Sequence, residues 1–305
     1  MRGLSRDTAK LIKYANRLLS DNHPMTLRQL HYAIFSRKEI PYDNTLADYR
    51  RLSRATTLAR RAFRQWELAG SDSSTLPECW IEPSWMVDET REAETVSVWK
   101  DACEYVDTVK RAYRRDNWQD QPRYCEVWSE KATILGSIRP IADKFGITLR
   151  VCHGFGSTGM ESQIGQHFET LAKEITVFFL GDHDPSGRII EEDIHGRAQL
   201  AAGREFKMKR LAIHEEDIKR FNLPPQRIKT SDSRARSFRK QFGRNAPTVE
   251  LDALPADELR HRVEKAVSGL IDRELWKRQT DVQQIELNCI VEFADRIRNL
   301  PQVQP

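Results

Sequence analysis

Residues 175–190, ITVFFLGDHDPSGRII, run from six apolar or β-branched positions through Gly181 into two carboxylates one residue apart, Asp182 and Asp184. Pro-Ser-Gly and a new apolar start follow. A strand buried on both faces of a parallel sheet reads as such a short continuous run. The acidic pair is therefore expected at the strand's C-terminal end, where open α/β sheets place their ligands. Alternate residues of an extended segment point the same way, so both carboxylates can approach one hard cation. A solvated acidic turn built on Pro and Gly has the same local sequence, and D-x-D alone does not separate the two.

A second stretch answers the first. Residues 124–131, YCEVWSEK, form another short strand pattern in which Glu126, Trp128 and Glu130 share one parity, and Glu130 opens the step into the helical ATILGSI. Two parallel strands that each end in carboxylate would gather Glu130, Asp182 and Asp184 at adjacent tips. Three acids without a neutralising lysine cluster imply Mg²⁺ or Mn²⁺, with phosphate as the natural partner. Glu126 as the ligand, or Glu130 as a mere helix cap, are the competing readings.

The chain has 305 residues, enough for two domains, and its 39% hydrophobic and 31% charged content is that of an ordinary globular protein. No apolar run approaches the roughly 18 residues of a membrane span, and no signal peptide opens the chain, so a cytoplasmic protein without membrane partners is expected. The five cysteines, Cys79, Cys103, Cys125, Cys152 and Cys289, are scattered and odd in number, which suggests neither a disulfide framework nor a zinc site.

The net charge of +4 hides an asymmetry. Residues 1–70 carry 14 Lys and Arg against 6 Asp and Glu, a balance of +8, which leaves the other 235 residues at −4. The basic part reads as helical. TAKLIKYANRLLS spaces Leu11, Ile12, Ala15, Leu18 and Leu19 on one face, and Asp21-Asn22-His23-Pro24 ends it. Thr26 is an N-cap candidate for LRQLHYAIFSR, and a third helix is expected from about Thr45 to Gln65. Helix, turn, helix and a long basic helix suggest a helix-turn-helix or winged-helix module. Arg50, Arg51, Arg54, Arg60, Arg61 and Arg64 are dense enough for a phosphate footprint on double-stranded DNA, although a run of arginines also makes a plain solvated face. In the second helix Arg28 and Tyr32 lie one turn apart. A guanidinium there would favour phenolate and hold a phosphate beside it, as attack by a tyrosine on phosphorus needs, whereas a core tyrosine is the plainer reading.

Glu130-Lys131 and GDHDPSG together resemble the Toprim domain of topoisomerases, bacterial primases and several nucleases, and the second motif looks like the D-x-D-P-x-G variant of the type IIB topoisomerase A subunit. Arg28-Gln29-Leu30-His31-Tyr32 is similar to the nucleophile pattern of those subunits and of the related meiotic double-strand-break protein, with Gln29 where the family often has an acid and His31 where it often has an aromatic. WMVDETRE (85–92), TSDSRA (230–235) and VELDAL (249–254) resemble segments of small stand-alone A-subunit-like proteins of phages and bacteria. The resemblance covers most of residues 20–275. It implies Tyr32 as nucleophile, Arg28 on the phosphate, and Glu130, Asp182 and Asp184 around Mg²⁺ (Mn²⁺ as substitute), with Lys131 among the DNA contacts. It further implies a homodimer in which one subunit's tyrosine meets the other's metal site, and a separate ATPase subunit for any strand passage. Glu250 or Asp252 would serve a second metal or, more plainly, caps and ion pairs.

The expected architecture is α/β plus α. Residues 1–115 form the helical DNA-binding domain, with a connector helix at 92–114. Residues 120–215 form a Toprim-like small parallel sheet flanked by helices, with strands near 124–128, 147–152, 175–181 and 208–213, and 216–305 form a helical extension. A hydrolytic Toprim nuclease and a non-cleaving DNA-binding homologue stay open. So does a dinucleotide-binding oxidoreductase, because His153-Gly154-Phe155-Gly156-Ser157-Thr158-Gly159 holds a G-x-G-x-x-G after ITLRVC, with Asp182 23 residues on. Against that last reading, the helix after Gly159 is expected to start late, and the acid is one of a pair.

Overall fold

The computed structural model describes residues 4–70, 76–87, 96–152, 158–226 and 235–299. Among them the chain forms α1 (Arg6–Asn22), α2 (Leu27–Arg37), α3 (Leu46–Leu68), α4 (Ala102–Ala112), β1 (Arg123–Ser129), α5 (Ala132–Phe145), β2 (Thr148–Val151) and α6 (Thr158–Thr170). There follow β3 (Glu174–Leu180), α7 (Pro185–Ala202), β4 (Lys207–Ala212), α8 (Glu215–Arg220), α9 (Ala235–Phe242), α10 (Ala256–Ser268) and α11 (Arg273–Arg298). No helix among the described residues is long and apolar enough to cross a membrane.

The four strands form one parallel sheet in the order β2-β1-β3-β4. Continuous apolar runs specify the central pair because both sheet faces are covered. Val127, Phe178 and Leu180 face a core shared with Ile134 and Ile138 of α5 and Leu259 and Val263 of α10. Trp128, Val177 and Phe179 face the opposite core, with Ile164 and Phe168 of α6 and Ile194 and Ala198 of α7. The helices that leave β1 and β3 thus go to opposite faces, and the crevice between these neighbouring tips is the sheet's topological switch point.

The N-terminal helices have their own core, built from Leu11, Leu18, Leu30, Ile34 and Leu52, and Ala256 at the start of α10 enters it. Thr26 caps α2 in a reciprocal capping box with Gln29, and Thr45 caps α3. Apart from helices, the described residues of this region show one isolated bridge, Met25 to Met86, and no hairpin wing. The connector is shorter than expected. Asp101 accepts from the Glu104 amide and starts α4 there, so 96–100 are not helical, and α4 packs along α11.

One ionisable group lies inside the sheet's own layer. Glu126 on β1 is fully buried and accepts from Arg150 Nε (2.5 Å) and Nη2 (3.0 Å), Trp128 Nε1 (2.7 Å) and Tyr124 Oη (2.9 Å). A buried carboxylate survives only with such compensation. Arg150→Met is expected to cost about 3 kcal/mol of unfolding free energy, because it strands that charge. Urea denaturation checks this, and a loss below about 1 kcal/mol, the scale of an exposed pair, would show Glu126 to be adequately satisfied without Arg150.

Candidate metal and phosphate site

The β1–β3 register aligns Ser129 with Leu180, so the next residues of both strands emerge side by side. The Glu130 amide donates to Leu180 O (3.0 Å), and the Glu130 carboxylate accepts from the Asp182 amide (3.1 Å). Asp184 caps α7, its Oδ1 accepting from the Gly187 amide (2.7 Å). Gly187 has to be glycine: a Cβ there would lie 2.7 Å from Asp182 O and 2.9 Å from Glu130 Oε2. The structure therefore brings Glu130, Asp182 and Asp184 to one crevice. Glu126 lies below it, committed to Arg150 and Trp128.

Charge is crowded in this crevice. Burial, then the nearby Asp182 charge and, less strongly, Asp184, push the Glu130 carboxyl up to about 7. Burial also raises Asp182, against the pull of Lys131 and the Leu251 amide. An all-oxygen donor set with excess negative charge suits a hard divalent cation, which would relieve that repulsion. Among the described residues, however, no three His, Cys, Asp or Glu side chains are already arranged as a metal cage. One side of the cluster is filled by a cation of the protein itself.

That cation is Lys131, and it corrects the expectation that no lysine answers the acids. Its Nζ lies 3.0 Å from Asp182 Oδ1, 3.0 Å from Asp252 Oδ2 and 3.5 Å from Glu250 Oε2. Burial disfavours the ammonium, yet Asp252, Asp182 and Glu250 together raise its pKa. Glu250 in turn holds Arg28 Nη2 at 2.6 Å. The sequence-predicted nucleophile helix and the acidic crevice are thus joined within one chain by Arg28, Glu250 and Lys131.

Tyr32 is only 3% exposed and belongs to the sheet-side core. The expectation that Arg28 favours its phenolate is reversed in the balance: burial first, then Glu250, raise the Tyr32 pKa, and Arg28 only offsets part of this. A cleft of about 230 Å³ lined by Arg28, His31, Tyr32, Asn44, Thr45, Leu46 and Tyr49 reaches the phenol. Of the arginines on α3, Arg50, Arg54, Arg61 and Arg64 are exposed, and Arg51 and Arg60 are half-buried. Arg51 is tied to Asp48 (3.2 Å) and Arg64 to Glu67 (3.1 Å).

Two residues of the crevice escaped the sequence reading. Arg210 of β4, its side chain 4% exposed, donates to the carbonyls of Gly181, Asp182, Gly187 and Ala212 and pairs with Glu191. It splints the acidic loop onto the sheet. His183 is fully buried against Phe238 and Phe242, its ring lowered to about 4 chiefly by burial, and its backbone pairs with Val249. A basic residue in a strand and the middle residue of D-x-D carry no pattern that announces either role.

The residues 88–92 of WMVDETRE, Asp232 and Arg234 of TSDSRA, and Gly154 and Gly156 of the glycine stretch lie outside the described residues. Helix α6 begins at Thr158, inside the glycine pattern, which overturns the expected late start. The strand before the glycines, β2, is an edge strand separated from β3 by β1. A dinucleotide fingerprint needs those two strands adjacent, so that the acid reaches the ribose. No protein-family model matches the chain, and no curated protein matches it.

Crowding at Glu130 yields a pH prediction. Its folded pKa of about 7 exceeds the unfolded value of 4.5, so the folded state keeps the proton longer and loses stability as pH rises through that window. In EDTA, Glu130→Gln is expected to be more stable than wild type at pH 8 by on the order of 1–3 kcal/mol, with the gap closing toward pH 4.5. Added Mn²⁺ is expected to raise the wild-type melting temperature and leave Glu130→Gln unmoved. Equal stability at pH 8 would show that no excess charge exists there, and an equal Mn²⁺ response would remove Glu130 from the metal site.

Proposed function

We propose that this chain is a metal-dependent DNA-cleaving protein of the Toprim type, similar to the topoisomerase VI A subunit, working on double-stranded DNA. The observation that carries the reading is the convergence at a switch point of Glu130, Asp182 and Asp184, linked through Lys131 and Glu250 to the helix that bears Arg28 and Tyr32. The N-terminal helices would act as a helix-turn-helix or winged-helix module, presenting Arg50, Arg54, Arg61 and Arg64 to backbone phosphates.

Glu130, Asp182 and Asp184 would hold Mg²⁺ or Mn²⁺, which supplies neutralisation of phosphate charge. Arg28 would orient the phosphate. The Tyr32 oxygen would attack phosphorus, giving up its proton to solvent, while the bond to the 3′ oxygen breaks and that oxygen leaves as a hydroxyl. The product is a tyrosyl phosphodiester. A homodimer would cut both strands, and strand passage would require a separate ATPase subunit.

A second reading has its own observation: Tyr32 is 3% exposed. A hydrolytic nuclease would use water on the same acids and leave Tyr32 as core.

Supercoiled DNA incubated with Mg²⁺ and wild type, Tyr32→Phe or Asp182→Ala, then denatured with and without protease, separates the readings. Wild type is expected to nick DNA and remain attached until protease is added, and both variants are expected to lose at least about 100-fold in rate, as removal of a chemical group does. Full nicking by Tyr32→Phe with no linked protein would establish hydrolysis. For the basic helix, Arg54→Ala with Arg61→Ala is expected to weaken duplex binding uniformly across sequences and reduce the log-log salt slope by about 2. An unchanged slope would place the DNA elsewhere.

A further inference from the structure

Building on the phosphate chemistry proposed above, we infer that Arg28 and Lys131 are the two jaws of a subsite for one backbone phosphate, and that the Glu250 carboxylate fills this subsite until a phosphate displaces it. The two cations come from separate parts of the chain, Arg28 from α2 and Lys131 from the step between β1 and α5. They converge on the same oxygen, Glu250 Oε2, at 2.6 and 3.5 Å. Gln226 Nε2 donates to the other oxygen at 3.3 Å. A guanidinium, an ammonium and an amide around one anionic group are as well suited to phosphate as to carboxylate, and a phosphodiester presents its oxygens at similar spacing.

The position is also open to exchange. The side chains of Arg28, Lys131 and Glu250 keep 45%, 25% and 22% of their surface in solvent. Lys131 would stay in place after Glu250 leaves, because Asp182 and Asp252 still hold it at 3.0 Å. The backbone next to Glu250 is pinned by the bridges of Thr248 to Gln226 and Val249 to His183. A change of the Glu250 rotamer therefore vacates the subsite without unfolding the turn. Arg28 acts electrostatically on Tyr32, so a phosphate seated there would lie beside the proposed nucleophile.

Fluorescence anisotropy with a labelled duplex, in EDTA so that no metal contributes, tests the inference on the full chain. Glu250→Gln and Glu250→Ala are expected to bind about fivefold tighter than wild type, the scale of one partly exposed ion pair no longer in competition. The double variant Arg28→Gln, Glu250→Gln is expected to lose that gain. Affinity equal to or weaker than wild type in both single variants, with circular dichroism showing each folded, would make Glu250 a structural clamp and overturn the subsite while leaving DNA binding intact. If the wild type binds no duplex, the DNA reading fails separately, and the subsite is then judged with inorganic phosphate by ³¹P line broadening. Broadening by Glu250→Gln alone supports it, and its absence overturns it.

Discussion

One ammonium group holds the parts of this molecule together. Lys131 Nζ reaches Asp182, Asp252 and Glu250, of which Asp252 is 1% and Asp182 8% exposed. Buried carboxylates without a counterion cost several kcal/mol, so neither Asp182 nor Asp252 can leave the lysine freely. Asp182 belongs to the loop after β3, and Glu250 and Asp252 to the turn before α10. A single cation thus fixes the C-terminal extension to the C-terminal end of the sheet's strands, and Glu250 extends the link to α2 through Arg28. Fold and candidate site rest on the same contacts, which is why the acidic loop is tightly held although it follows the end of a strand.

The joint between the N-terminal helices and the remainder is built differently. Tyr32 enters the sheet-side core and Ala256 the N-terminal one, and polar links join the two parts: Arg28 to Glu250, Ser137 to Gln29, and Arg260 to the carbonyls of Asn22 and Pro24. Between them lies a cavity of about 190 Å³ lined in part by Met25, Gln29, Ala33, Phe221, Leu254 and Pro255. The sheet, by contrast, is packed on both faces and splinted by Arg210.

Much of this was legible in the sequence for definite reasons. Strand β3 falls where its continuous apolar run puts it, because burial on both faces leaves no other pattern. Strands β1, β2 and β4 also lie near their expected positions although they carry Glu126, Arg150 and Lys209. Thr26 announces α2 through cap chemistry that is local, and α3 starts after Thr45 as expected. The convergence of Glu130 with Asp182 followed from two runs ending in acid, since parallel neighbours bring their tips together. Long-range ion pairs leave no such trace. Arg28 meets Glu250 across 222 positions and Lys131 meets Asp252 across 121, so the sequence could assign ion-pair roles to Glu250 and Asp252 but not name their partners. The true start of α4 at Asp101 was hidden because the upstream residues carry no helix breaker, and Glu126 stood as a competing ligand until β2 supplied Arg150.

Under the proposed chemistry, the same geometry decides what limits delivery of Tyr32. In the topoisomerase VI A-subunit family that the sequence resembles, the tyrosine of one subunit serves the acids of another, whereas here Arg28, one turn from Tyr32, is bound to the chain's own Glu250. A transfer in trans must break that pair, but a partly exposed ion pair contributes only about 0–1 kcal/mol. Withdrawing the Tyr32 ring from its core costs more, about 1.5–3 kcal/mol for a large side chain. The barrier to exposing Tyr32 is therefore apolar rather than ionic. It should change little with salt, and it falls if DNA spreads the N-terminal helices away from α10, where Ala256 is lodged in their core. Phosphate binding and exposure of the phenol would then be two consequences of one separation at this joint.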